Sequence, residues 1–315
     1  MSATRDRVRT LIEQGSESEA LAIVERQAAA GEAWAQFDLA GYKLAGRGLA
    51  RDAHGAVGLL EKAAAQGSQQ AALRLVTLYA TGTGCAEQPE RARTVVDICR
   101  TTDDFAAAQA HVLATDPEPV EHRCEALCDA PVVRLFRDVV SPLERRWITT
   151  LARPELEPSF VEEPGTGRRV PHPVRTSSGM SFGPLDEDLV VNRLNRRIAK
   201  ISETLYSSGE PLHVLNYAPG EQYRPHFDAL PGAANQRVFT AILYLNDEYE
   251  GGKTAFPELD LQVRGRAGDM LLFANVDRQG RRDPRSFHAG LPVNAGEKWI
   301  ATRWIRQRRY HPWDK

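Results

Sequence analysis

Shifting the chain by 36 residues lays small and apolar positions on one another, and that period confines the first third to stacked helix pairs. Ala35 falls on Ala71, Leu39 on Leu75, Gly46 on Gly82, Gly48 on Gly84 and Ala56 on Ala92. Backward, Gly67 meets Gly31 and Ala56 meets Ala20; forward, Ala71 meets Ala107. A repeat of this length with glycine-containing turns signals a helical solenoid, whose small residues let paired helices approach closely. The pattern predicts helical repeats over residues 1–112 and, where it fades into prolines, a linker over 113–130. Beyond it, SPLERRWITTLARP and LDEDLVVNRLNRRIAKISETL carry apolar residues at helical spacing. The character then changes: PLHVLNYAP, RVFTAILYLND, DMLLFANV and WIATRWIR are short, β-branched and aromatic, and Gly, Pro and Asp turns separate them. The expected class is therefore α+β. An all-α repeat domain precedes a second domain, residues 131–315, of two helices packed on an antiparallel β-sandwich.

The pattern A-x-F-x-L-A-x-Y…G-x-G…D-x-x-x-A…A-A-x-x-G in residues 35–67 resembles the Sel-like relatives of tetratricopeptide repeats. The resemblance covers roughly two and a half repeats. It implies a protein-binding surface, and a bundle that only stabilises its neighbour is the other reading. Forty basic against 42 acidic residues leave a net charge of −2, which excludes bulk attraction to nucleic acid or an anionic membrane. The first twenty residues are charged throughout and lack the apolar core of a signal peptide. No apolar run approaches the ~20 residues of a membrane helix, so no membrane is expected and the cytoplasm is the expected location. Cys85, Cys99, Cys124 and Cys128 fit a reducing compartment. His122, Cys124 and Cys128 hint at zinc, but half of such a site is missing; on a helix the two cysteines would merely share a face.

Chemistry concentrates later. In YRPHFDAL, His226 and Asp228 stand at i and i+2, which share one face of a strand. A third ligand must come from elsewhere, and His288 in SFHAGLPVNAGEKW, after an expected strand, supplies it. Two histidines and one carboxylate with open positions form the ligand set of non-haem iron(II) oxygenases. Two of those positions suit the 2-oxo group and adjacent carboxylate of 2-oxoglutarate, leaving one for dioxygen. Lys298, ten residues after His288 and expected on the following strand, can meet the far carboxylate. A buried ammonium without such a partner would be costly.

YAPGEQYRPHFD, QRVFTAILYLND, YEGGKTAFPE, AGDMLLFANV and HAGLPVNAGEKWIATRWIR resemble the successive catalytic motifs of prolyl 4-hydroxylases, and VRTSSGMSF resembles an earlier one. The resemblance spans about residues 131–310 and keeps the motif order. It implies a double-stranded β-helix, or jelly roll. It also implies iron held by His226, Asp228 and His288, which are thereby the catalytic residues, and Lys298 on the distal carboxylate of 2-oxoglutarate. Tyr217, Thr254 and Tyr244 match positions lining the co-substrate pocket, with plain core packing as the other reading of the tyrosines. Tyr223, Arg237 and Trp304 match positions near the substrate groove. The implied cofactors are Fe(II), 2-oxoglutarate and dioxygen, with ascorbate as an accessory reductant.

Two departures bear on substrate. Arg306 stands where peptide-acting members can carry histidine, and the loop ALPGAANQ after Asp228 is short. From Arg278 to Arg309 nine basic residues face only Asp283 and Glu297, which reads either as a solvated face or as a surface for an acidic or phosphate-bearing partner. The expected reaction hydroxylates a C–H bond, with a peptidyl proline first, while 2-oxoglutarate yields succinate and carbon dioxide. The repeats would recruit the protein that carries it. Oxidative demethylation of nucleic acid and a repeat adaptor with an inactive oxygenase domain are the rival readings.

Overall fold

The computed structural model describes residues 3–116, 121–162, 169–171 and 174–313, so residues 117–120 of the expected linker lie outside it. The chain divides into two compact units, Met1–Ala114 with Pro184–Asn192, and Thr115–Gly183 with Arg193–Lys315.

The first unit opens with α1 (Ala3–Glu13), α2 (Glu17–Ala29), α3 (Ala33–Ala45), α4 (Ala53–Ala65), α5 (Gln69–Thr81), α6 (Pro89–Cys99) and α7 (Asp104–Thr115), whose last residue falls beyond the division. The period has a physical basis. Ala20, Ala35, Ala56, Ala71 and Ala92 are all fully buried, where any larger side chain would push neighbouring helices apart. Gly46 and Gly82, one period apart, cap α3 and α5 in the left-handed region, with φ of 65° and 71°. Gly84 is excluded from substitution twice over: its φ is +77°, and a Cβ there would lie 2.4 Å from the Ala53 carbonyl oxygen. The shift places Ala107 on the same track, but it is Ala106 of α7 that is buried, so the register slips by one residue in the last repeat.

The second unit opens with β1 (Cys124–Asp129), β2 (Val132–Phe136), α8 (Pro142–Ala152), β3 (Glu157–Pro158), β4 (Phe160–Glu162), β5 (Arg169–Pro171) and β6 (Ser178–Phe182). β1 occupies part of the expected linker. The stretch containing Cys124 and Cys128 is thus a strand and not a helix, and both thiols are free. Helix α9 (Leu189–Ile201) follows. Its first turn counts with the helical unit, although the sequence suggested that residues 184–192 belong to the second domain. Hydrogen bonds explain this: the Leu189 N–H donates to Gln109 Oε1, Asn192 Nδ2 to the Ala80 carbonyl and Arg74 to the Leu185 carbonyl.

The remaining strands are β7 (Leu212–Tyr217), β8 (Tyr223–His226), β9 (Arg237–Tyr244), β10 (Tyr249–Gly251), β11 (Thr254–Phe256), β12 (Leu261–Val263), β13 (Met270–Ala274), β14 (His288–Gly290), β15 (Val293–Gly296) and β16 (Lys298–Arg306). One sheet runs β1-β2-β13-β9-β16-β7-β6-β3 and a second runs β12-β11-β14-β8, with β10-β15 and β4-β5 as short pairs. Every recorded pairing is antiparallel. Leu135, Leu215, Ile242, Phe273 and Ile300 of the large sheet share one core with Phe256 and Val263 of the small sheet, which is the inside of a jelly roll.

Helix α8 begins with a capping box, Ser141 and Glu144 each bonding the other's backbone. Glu144 is fully buried and also receives Arg193 at 2.8 Å and Arg197 at 2.7 Å, so one carboxylate ties the start of α8 to α9.

Candidate active site

Antiparallel register builds the centre. β14 pairs with β8 so that His288 stands opposite His226, and their ring centroids are 4.3 Å apart. Asp228 lies two residues beyond the end of β8, so the same-face argument for a strand is incomplete: the chain has already left the sheet where the carboxylate turns in. His288 comes after β13 and itself opens β14, and β15 intervenes before Lys298 opens β16.

The three side chains converge. His226 Nε2 is 3.6 Å from Asp228 Oδ1, and His288 Nε2 is 3.6 Å from Asp228 Oδ2. Each Nδ1 lies within hydrogen-bond reach of a carbonyl, 2.8 Å from Arg224 O and 2.9 Å from Ser286 O. A carbonyl only accepts, so Nδ1 carries the proton and each Nε2 presents its lone pair inward. Burial holds the His288 pKa down at about 4, so the ring is neutral at pH 7. One donor atom from each residue lies within 4.8 Å of the others, a spacing that suits a single ion. The donor set, tautomers and convergence fit iron(II). Among the described residues this is the metal-ligating group that contains two histidines and a carboxylate, and Cys124 and Cys128 take no part in it.

Period two supplies the walls. Lys298, Ile300, Thr302 and Trp304 alternate along β16, Thr240 and Ile242 along β9, and Leu215 and Tyr217 along β7; all line the cavity that holds the ligands. Thr254 and Tyr223 line it as well, and the Tyr244 hydroxyl stands behind, 3.4 Å from Thr254 Oγ1. Lys298 is 3% exposed, and among the described residues no carboxylate pairs with it. Its Nζ donates to the Gly252 carbonyl at 2.6 Å and lies 5.4 Å from the centre of the Tyr217 ring. Burial pulls its pKa from 10.5 down to about 8. A buried cation with one neutral acceptor suits an anionic ligand end.

At the other end, Tyr223 stacks on His226 at 3.5 Å. Arg237 does not line the cavity. It makes a paired hydrogen bond to Glu210, at 2.6 and 2.8 Å, while its guanidinium lies 4.0 Å over the Trp304 ring. Arg306 also reaches Glu210, at 2.5 Å.

Sequence reasoning passed over three supporting residues. Thr240 donates to Asp228 Oδ2 at 2.6 Å and accepts from Asn275 Nδ2 at 2.9 Å, so a two-step chain orients the carboxylate. Thr240 was detectable as a polar residue on the inward side of RVFTAILY, in step with Ile242 and Tyr244. Asn275 and Glu210 left no comparable signal.

The jelly roll, the histidine–aspartate–histidine centre and the lysine-ended cavity define a 2-oxoglutarate-dependent iron(II) dioxygenase. A profile of the 2OG-Fe(II) oxygenase superfamily matches residues 212–306. Prolyl 4-hydroxylase 1 of Arabidopsis thaliana is 33% identical over 256 residues, covering 75% of this chain and 88% of that protein. The chain belongs to the prolyl 4-hydroxylase family. Among solved structures, the viral collagen prolyl hydroxylase of Paramecium Bursaria Chlorella virus-1 is 24% identical, with a TM-score of 0.47 over 57% of this chain and 98% of that one. A Sel1 repeat protein from Oxalobacter formigenes is 22% identical, with a TM-score of 0.33 over 35% and 87%. The family works with Fe(II), 2-oxoglutarate and dioxygen.

Proposed function

We propose that the protein hydroxylates a peptidyl proline of a protein substrate while 2-oxoglutarate is converted to succinate and carbon dioxide. The observation that carries this reading is the convergence of His226, Asp228 and His288 at one point of a cavity whose wall holds the buried Lys298. The proline assignment draws support from the relative named above, a prolyl 4-hydroxylase.

In this reading His226 and His288 would hold iron(II) through Nε2 and Asp228 through a carboxylate oxygen. Bound iron supplies activation of dioxygen, coupled to loss of carbon dioxide from 2-oxoglutarate. Lys298 holds the far carboxylate, Thr254 and Tyr217 flank the co-substrate, and Tyr244 fixes Thr254. Leu215, Ile242 and Ile300 keep water from this end. Tyr223, Trp304 and the Arg237 stacked on it form the substrate side. Ascorbate would restore enzyme that turns over without substrate, and the helical repeats would present the protein bearing the proline.

The test is mass spectrometry of host proteins incubated with the intact enzyme and with His288→Ala. A +16 Da shift on proline (the mass of one oxygen) that requires His288 supports the reading; transfer to other residues alone overturns the proline assignment.

A further inference from the structure

The structure sorts the nine basic residues between Arg278 and Arg309 into two populations. Lys298 and Arg303 are buried, Arg306 binds Glu210 and Arg285 binds Asp283. Arg278, Arg281, Arg282, Arg308 and Arg309 remain exposed. Two segments bring these five together. Val276 bridges to Arg282 and closes a hairpin, within which the Asp277 N–H donates to the Arg281 carbonyl. At its tip, a Cβ on Gly280 would lie 3.8 Å from Gln307 Nε2, so the hairpin abuts the segment carrying Arg308 and Arg309. The short loop after Asp228 pins that segment: Asn235 Nδ2 donates to the carbonyls of Arg308 and Arg309, and the Arg308 side chain to the Ala234 carbonyl.

This rim adjoins the iron ligands. The Arg282 guanidinium lies 4.2 Å over the Phe227 ring, and Phe227 packs on Phe287 at 4.8 Å. Phe227 stands between His226 and Asp228, and Phe287 precedes His288. Within the hairpin the counter-charge is Asp277, which Arg281 already holds at 2.9 Å. Asp277 offsets one of the five charges; the other four, on adjoining loops, repel one another, and an anionic partner would relieve that repulsion.

We propose that this arginine rim binds an acidic stretch of the substrate protein, flanking the residue to be hydroxylated. The proposal rests on the protein-substrate reading of the site. A peptide fits better than a nucleic acid because the whole chain carries −2, which gives a long polyanion no distant attraction, whereas a few local arginines match a short acidic run.

The test separates docking from chemistry. Fluorescence anisotropy measures binding of labelled proline peptides flanked by glutamates, the same peptides with glutamines, and a single-stranded oligonucleotide, to the full-length protein and to R278E/R282E/R309E. Glutamate peptides should bind about tenfold tighter than glutamine ones, and the triple variant should erase the difference, as several exposed charge pairs acting together require. The variant should retain peptide-independent 2-oxoglutarate turnover, which shows that it is folded. Equal binding of the two peptides to the unaltered protein overturns the rim, as does tighter binding of the oligonucleotide. A glutamate peptide that binds but is never hydroxylated counts against the proline reading and leaves the rim supported.

Discussion

Asp228 is held by something its own segment does not contain. Its Oδ2 accepts from Thr240 on β9, and Thr240 is steadied by Asn275 just beyond β13. Thr240→Val keeps the shape and removes the bond, so iron(II) affinity in anaerobic titration should fall about 10–100-fold with the fold intact. An unchanged affinity would mean that the carboxylate needs no such support. Lys298 carries a second expectation, with a direction in pH. Burial lowers its pKa to about 8, so the free protein loses the ammonium as pH rises through that value, far below ordinary lysine. The apparent affinity for 2-oxoglutarate should be constant below pH 8 and weaken above it. In Lys298→Ala the pH dependence should vanish, and affinity should drop by the ~2–5 kcal/mol typical of a buried charge-assisted bond. The ligand types and Lys298 were legible in the sequence because their chemistry stands out among the β-branched and aromatic segments around them. Asn275 and Glu210 were not, because they act on residues brought near only by the pairing of distant strands.

Single residues also decide how elements meet. Glu144 is a capping residue by sequence, yet its burial between Arg193 and Arg197 makes it a junction of two helices. Burial alone would raise its pKa, but the two guanidiniums and the Ser141 N–H outweigh that and hold it below the usual carboxylate value. Its stabilisation is therefore complete above the unfolded-state pKa and is lost as pH falls through the lowered folded one. Glu144→Gln should cost about 3–5 kcal/mol by leaving the buried Arg197 guanidinium short of charge, and denaturant melts at pH 7 would show it. The capping box could be read from SPLE; the arginines' target could not, since Arg193 and Arg197 look like solvent-facing residues of an amphipathic helix. In the repeats, by contrast, local rules suffice. Gly82→Ala forces a left-handed cap on a residue with a Cβ and should destabilise the chain by about 1 kcal/mol, read as a lower melting temperature.

The broad division into helical repeats and a jelly roll was legible because the hydrophobic period changes from helical to alternating. The return of residues 184–192 to the helical unit was not, because nothing in LDEDLVV distinguishes a turn that bonds Gln109 from one that bonds its own sheet. A chain lacking residues 1–114 should still bind iron and 2-oxoglutarate, since every proposed ligand lies in the other unit. It should also unfold at lower temperature, because residues 184–192 would lose their hydrogen bonds to Gln109, Ala80 and Arg74. Calorimetry with a metal titration checks both halves of that statement. The position of β16 has a consequence for synthesis. It is made after every other described strand, yet it lies in the interior of the large sheet, between β9 and β7, and it carries Lys298 and Trp304. A nascent chain can assemble its helices early, but β9 and β7 wait with open edges until β16 arrives. Both histidines precede that strand, so a growing chain could capture iron while it still lacks the lysine and the wall that β16 provides.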